Sequence, residues 1–324
     1  MNIYSERINA LRQKMLEAGT DVYYIPMSDC HNSEYVADHF RCVEYISGFT
    51  GSAGSVVVTQ EDAWLFADGR YYIQAARQIE GSGIQLMKIG QSGVPELEDF
   101  LAEKAAGKVL GFDGSVLTAR AGKKLSERGI DIRYDLDLAG QIWKERPPQR
   151  FSEIYQLGLE YTGQTALEKL GRVRAELEKK VPEGKEYLYI INSLDDIAWM
   201  FNLRADDIPD NPVQFAYAAI TRERVMLFTG ARAPEGPYET GEYSHDCLCI
   251  SGWSKAAGDE RADTVVLMDE NRIVVKEGLK RMQRSRNLGL QALMEVNGLE
   301  PAKISAYHLG FVLGPCLNAT GRLD

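Results

Sequence analysis

The chain of 324 residues reads as an α/β protein built from two related units. Three observations predict this. Strand-like and helix-like stretches alternate through residues 1–149, a pattern that yields layered sheets. Arg146-Pro147-Pro148-Gln149 then interrupts, because adjacent prolines continue neither a helix nor a central strand. Beyond it the pattern restarts at a fixed offset. Leu170, Val173 and Leu177 each lie 162 residues after Ile8, Leu11 and Met15, and the stretches 59–66 and 221–228 both read T-x-E-x-x-x-L-F at that same offset. The expected organisation is a first domain over 1–149, a second and incomplete copy over 150–258, and a short, mostly helical segment over 259–324.

Each element has its own signal. Ile8, Leu11 and Met15 form the apolar stripe of an opening helix, and Gly19 stands where a left-handed residue closes one. A strand is expected over 22–25, then a polar segment over 29–39 and a turn-rich stretch over 47–54. Residues 56–59 and 63–66 read as a hairpin, and Asp68-Gly69-Arg70 leads into a helix over 71–79. Strand 84–88 precedes a helix begun by Pro95, strand 108–112 precedes a helix capped by Thr118, and strand 130–134 leads to a short helix ending at Trp143. In the second copy, Ser193 caps a helix running to Phe201. Pro234, Gly236 and Pro237 then exclude a counterpart to the helix over 71–79. Helices are expected over 270–282 and 288–296, with a final apolar stretch over 308–317.

Composition excludes several classes. With 44% hydrophobic and 26% charged residues, the chain is neither collagen-like nor wholly disordered. No apolar run approaches the roughly 18 residues of a membrane span, and residues 1–7 lack the apolar core of a secretion signal, so a cytoplasmic protein with no membrane partner is expected. The five cysteines (Cys30, Cys42, Cys247, Cys249 and Cys316) form no C-x-x-C pair and read as reduced, inert thiols. Net charge is −10. Residues 255–324 carry 10 basic and 9 acidic side chains, leaving 27 and 38 for residues 1–254. So acidic a body repels phosphate backbones, which argues against nucleic acid as partner.

Candidate chemistry is sparse. His31, Glu34, Asp38 and His39 would share a face if their segment were helical, and two imidazoles beside carboxylates suit a divalent metal. A solvated polar helix or an interdomain contact explains them better, since no H-E-x-x-H spacing is present. Gly48, Gly51 and Gly54 are spaced G-x-x-G-x-x-G, which is neither a dinucleotide fingerprint nor a phosphate loop. They read as turn glycines leading into a buried strand. Arg70 and Arg204 could hold a peptide carboxylate or a structural ion pair. The basic cluster Lys276, Lys280, Arg281, Arg284 and Arg286 reads as a solvated helix face. No nucleophile elbow or two-metal cluster is visible.

Ser28-Asp29-Cys30-His31-Asn32-Ser33-Glu34-Tyr35, Ser47-Gly48-Phe49-Thr50-Gly51-Ser52-Ala53-Gly54 and Asp68-Gly69-Arg70-Tyr71 resemble the N-terminal domain of Xaa-Pro aminopeptidases (aminopeptidase P). Gln141-Ile142-Trp143-Lys144-Glu145-Arg146-Pro147 is similar to the end of that domain. Leu194-Asp195-Asp196-Ile197-Ala198-Trp199-Met200-Phe201-Asn202-Leu203-Arg204 and Asn211-Pro212-Val213-Gln214-Phe215 are similar to the middle domain. This resemblance, collinear over about 1–230, implies two tandem creatinase N-terminal-like domains, each a mixed sheet flanked by helices. It also implies that the chemistry lies in a third domain, where two manganese ions activate a water against the bond before proline. No residue here matches those ligands.

Ala262-Asp263-Thr264-Val265-Val266-Leu267-Met268-Asp269 and Gly310-Phe311-Val312-Leu313-Gly314-Pro315-Cys316-Leu317-Asn318 resemble a RecJ-type single-strand exonuclease over about 259–324. That resemblance implies a manganese ligand at Asp263, without the Asp-His-His motif that completes such a site.

The expected function is therefore the non-catalytic N-terminal region of a cytosolic Xaa-Pro aminopeptidase, with no catalytic residue and no cofactor of its own. It would shape the entrance for proline-containing peptides and the contacts of a homo-oligomer, with His31 and Arg70 as entrance candidates. A fusion with a RecJ-type nuclease fragment and a pure dimerisation or binding module are the alternatives.

Overall fold

A computed structural model describes residues 2–243 and 264–267. It divides into two compact units, Met1–Gln149 and Arg150–Asp324. Unit 1 opens on α1 (Ile3–Glu17), started by the Asn2 side chain, which accepts from the Tyr4 amide at 2.9 Å. Strands β1 (Val22–Pro26), β2 (Gly54–Thr59), β3 (Ala63–Ala67), β4 (Gln85–Lys88), β5 (Val109–Gly111) and β6 (Asp131–Arg133) form one mixed sheet in the order β4-β3-β2-β1-β5-β6. Its middle strands β1, β2 and β3 run antiparallel, while β4, β5 and β6 join in parallel.

Strand side chains alternate between faces, and both faces are covered. Tyr23, Ile25, Val56, Val58 and Leu65 pack with Ile8, Leu11 and Met15 of α1 and with Val43 and Ile46 of α2 (Cys42–Ser47). Val22, Tyr24, Val57, Trp64 and Phe66 pack on the other side against Phe100 of α4 (Leu97–Lys104) and Leu125 of α5 (Ala119–Glu127). The remaining helices are α3 (Tyr72–Gln78) and α6 (Leu138–Ile142). Pro95 precedes the N-cap Glu96 instead of beginning the helix, so α4 starts two residues later than its proline suggests.

Unit 2 repeats the plan. After β7 (Tyr155–Gln156) and α7 (Leu159–Thr162) comes α8 (Ala166–Lys180), opened by a capping box between Thr165 and Glu168. Next are β8 (Glu186–Ile191), α9 (Leu194–Phe201), β9 (Leu203–Arg204), β10 (Ala216–Ile220), β11 (Val225–Thr229), β12 (Glu239–Glu242) and β13 (Thr264–Leu267). The sheet order is β12-β11-β10-β8-β13, with the same strand directions as β4-β3-β2-β1-β5.

Two expectations change here. Among the described residues the main sheet of the second copy has five strands, and the Pro/Gly-rich link after β11 leads into one of them, β12. Residues 264–267, placed by the sequence in a mostly helical segment, form the strand β13 beside β8. The helices expected over 270–282 and 288–296, the apolar stretch over 308–317, the basic cluster and Asp263 lie outside the described residues, as do Cys247, Cys249 and Cys316.

The repetition reaches individual contacts. Thr59 and Thr221 turn their hairpins in the same way, each hydroxyl accepting from the amide three residues on, Asp62 at 3.1 Å and Arg224 at 2.9 Å. A guanidinium from the first helix then binds each Thr carbonyl, Arg12 at 2.8 Å and Arg174 at 3.0 Å, 162 residues apart. Arg7 and Lys169, also 162 apart, each donate to the carbonyl of an aromatic residue and lie over its ring. Arg7 does so at Tyr45, 2.6 Å and 4.0 Å, and Lys169 at Trp199, 2.8 Å and 4.7 Å.

Two glycine replacements test the packing. An alanine Cβ at Gly54 would lie 2.9 Å from both the Phe49 ring and the Phe66 carbonyl, and neither a fully buried ring nor a central-strand backbone can yield. Gly54→Ala should cost about 1–3 kcal/mol. Gly171, inside α8, has no neighbour within 4 Å of such a Cβ. Gly171→Ala should add about 0.5–1 kcal/mol by helix propensity. Equilibrium urea unfolding reads both, as a lowered midpoint for the first and a raised one for the second.

Candidate functional site

Strand directions place the carboxyl ends of β1, β3, β4 and β5 at one end of the unit 1 sheet, where open α/β sheets bind ligands. A cleft of about 340 Å³ lies there. Pro26, Met27 and Ser28 follow β1, Asp68 follows β3, Ile89 follows β4, and Val116, Leu117 and Thr118 lead into α5. Asn32 closes it from the loop after β1, in the left-handed conformation with φ 55°. The lining is largely apolar, with polar side chains at Ser28, Asn32, Ser55, Asp68 and Thr118, as is common in ligand clefts.

The loop that carries Asn32 is not helical. The Asp29 Oδ1 atom accepts from the amides of His31 at 2.9 Å and Ser33 at 3.0 Å, so the carboxylate offers this backbone an alternative to a helix. His31 is consequently buried at 1% exposure, Glu34 and Asp38 are exposed, and His39 sits in a single 3₁₀ turn, Asp38–Phe40. The four do not share a face. Among the described residues, no group of three or more His, Cys, Asp or Glu could hold a metal ion.

Arg70 is exposed and tied to Asp68. Its amide and Nε both reach Oδ1, at 2.9 and 3.2 Å, and its terminal nitrogen reaches Oδ2 at 2.7 Å. This pairing holds the Asp68 carboxyl below its ordinary range. His31 and Arg70 thus approach the cleft by proxy, through Asn32 beside one and Asp68 beside the other. Arg204 in unit 2 is used structurally, donating to the carbonyls of Ala198 and Leu203 at 3.0 and 2.7 Å.

The glycine triplet is a packing device. Gly48 closes α2 at φ 78°, while Gly51 and Gly54 leave room for the Phe49 ring. Cys30 is buried and Cys42 half-buried, and neither is joined in a disulfide.

A second constellation escaped the sequence. Arg146 donates to Asp137 at 2.6 Å, to the His39 carbonyl at 2.8 Å and to the Cys42 sulfur at 3.7 Å. Asp137 also caps α6 through the Gly140 amide at 2.8 Å, and His39 Nδ1 meets the Pro147 carbonyl at 2.8 Å. These contacts fasten the end of unit 1 to the 38–42 segment. Burial pushes the Asp113 carboxyl up, with like charge on Asp137 adding to it, and raises the Cys42 thiol to about 12. Such a thiol stays protonated near neutrality and is a poor nucleophile. The signals were present but scattered: an Asp at N-cap spacing and an Arg just before two prolines.

Comparison with known proteins finds two family matches, each described as a creatinase/prolidase N-terminal domain, over residues 7–146 and 145–274. The second match runs through β13 to residue 274, so the creatinase/prolidase family, and not a RecJ-type one, accounts for the first part of the segment expected over 259–324. A probable Xaa-Pro aminopeptidase P of Talaromyces stipitatus is 44% identical over 231 residues, covering 69% of this chain and 34% of its own length. Another of Penicillium rubens is 43% identical over 281 residues, covering 80% and 44%. The chain therefore spans between a third and a half of such relatives. Among solved structures, the X-prolyl aminopeptidase of Caenorhabditis elegans, described as a cytosolic enzyme with a di-nuclear active site, matches at TM-score 0.72 and 29% identity, over 83% of this chain and 47% of that one.

His39 supplies a pH test of the fastening. Burial holds its imidazole below the ordinary 6.5, so the folded state favours the neutral ring. The stability this confers is full above 6.5 and is lost as pH falls through the lowered folded value. His39→Asn, which keeps a donor for the Pro147 carbonyl, should flatten that acid loss. Thermal midpoints of both proteins between about pH 5 and 7.5 should diverge downward from 6.5. Parallel curves would contradict the assignment.

Proposed function

Residues 7–274 belong to the creatinase/prolidase N-terminal domain family as two domains in tandem, and from that premise we propose that the chain is the non-catalytic N-terminal region of a Xaa-Pro aminopeptidase. The reaction is hydrolysis of the peptide bond before a penultimate proline, in the cytoplasm, by a bimetallic centre that manganese would fill. The one observation that carries this reading is the tandem itself: two copies of one sheet plan, in series, over the same stretch that is about 40% identical to the relatives.

The described residues do not fit a bimetallic centre, since no cluster of three or more ligating side chains occurs among them. Within this reading they supply access and assembly. The unit 1 cleft would receive the chain of a proline-containing peptide, with Arg70 at its exposed rim and His31 buried in the turn that positions Asn32. A homo-oligomer would place that rim beside a catalytic domain. Nothing described favours the RecJ-type alternative for 259–324, and a dimerisation module without peptide contact leaves the cleft unexplained.

Incubating the purified chain with Arg-Pro-Pro and millimolar manganese should release no arginine above a protein-free control, measured by amino-acid chromatography. Manganese-dependent release that survives repurification would overturn the non-catalytic assignment.

A further inference from the structure

In unit 1 both faces of the Tyr45 ring are covered. Arg7 lies 4.0 Å from its centroid, and Trp143 stacks on it at 4.6 Å with an interplanar angle of 11°. Groups that close to one ring can only occupy opposite faces. Arg146 lies 5.9 Å from the indole centroid of Trp143, and the Tyr45 hydroxyl donates to the Ile142 carbonyl at 3.0 Å. The order is cation, ring, ring, and the second ring, with Arg146 near it, comes from the segment that ends the unit.

Unit 2 repeats only the inner half. Trp199 stands where Tyr45 stands, three residues before a left-handed residue that closes its helix: Gly48 follows Tyr45 by three and Asn202 follows Trp199 by three. Lys169 occupies one face of the indole. The ring is nonetheless 45% exposed. Along α9 the exposed residues are Asp195, Asp196 and Trp199, and the spacings of four and three residues put both carboxylates on the indole's side of the helix. The neighbouring Leu157 and Gln164 are tied to Asn202 by hydrogen bonds of 2.9 Å each, and this corner also exposes Leu159, Tyr161 and Leu167.

An open indole face bordered by two carboxylates complements a cationic side chain carried next to an aromatic ring. We propose that the outer face of Trp199, with Asp195 and Asp196, is a docking site for a basic, aromatic segment of a partner polypeptide. The segment would supply the stacked ring that Trp143 supplies in unit 1, with a cation near it as Arg146 is near Trp143. The inference rests on the comparison of the two units and on charge complementarity, and it stands whether or not the peptidase reading does.

The probe is an acetylated hexapeptide, Ile-Trp-Lys-Glu-Arg-Pro, copying residues 142–147. The full chain is labelled with fluorotryptophan, and the Trp199 fluorine signal is assigned by its loss in Trp199→Phe. Millimolar peptide should shift that signal saturably. A peptide with alanine in place of its tryptophan and arginine should not shift it. The double variant Asp195→Asn, Asp196→Asn should bind about threefold more weakly, with less dependence on salt. No shift, or an equal shift with the alanine peptide, overturns the proposal. So does a Trp199 shift that follows protein concentration without peptide, which would name a second copy as the occupant. Should the double variant fail to fold, the alanine peptide against the unaltered chain decides alone.

Discussion

Each unit depends on how its first helix is pinned to its central hairpin. Thr59 and Thr221 stand at the hairpin tips, where a buried or half-buried carbonyl left unmet destabilises the turn. Arg12 and Arg174 meet that carbonyl from the helix side. The contact also fixes the rotation of the helix, because a guanidinium reaching the tip leaves the stripe of Ile8, Leu11 and Met15, or of Leu170 and Leu177, facing the sheet. Burial of those side chains supplies the free energy, and the arginine decides where they land.

That logic explains what could be read from sequence. Apolar periodicity and the T-x-E-x-x-x-L-F pair mark the parts of each unit with strong local signals, namely helix, hairpin tip and buried strands. The pair of arginines at the same offset was equally visible but has no meaning until the hairpin tip is seen to need a donor. Strand β12, Glu-Thr-Gly-Glu, has no strand signature at all and exists through pairing with β11. The polar 29–39 segment misled in the opposite way. Its spacing permits a helical face, but Asp29 binds the following amides and the backbone takes a turn instead, which separates His31 from Glu34 and His39. The candidate cleft was illegible for a related reason: its lining comes from the connections after four different strands, and no linear motif records that convergence.

The two copies differ most where a site could form. Fifteen residues separate β1 from α2, and two separate β8 from α9. The long connection in unit 1 contributes Met27, Ser28 and Asn32 to the cleft, and unit 2 has no chain with which to build the same wall. Between the hairpin and the next strand the difference recurs, with α3 in unit 1 and a nine-residue link in unit 2. Sheet and pinning contacts are common to both units, whereas the recess belongs to one.

A shared frame with unequal connections separates stability from recognition. The buried strands and the arginine clamps tolerate little change, because both faces of each sheet are packed and a one-residue slip would turn every side chain over. The connections at the strand ends carry no such demand, so length and polarity there can vary at small cost. Unit 1 uses that freedom to enclose a cleft. Unit 2 uses it to leave an indole open on a helix whose only other exposed groups are carboxylates. The physical consequence is a difference of surface: a recess among the strand ends on one unit, and an acidic, aromatic helix face on the other.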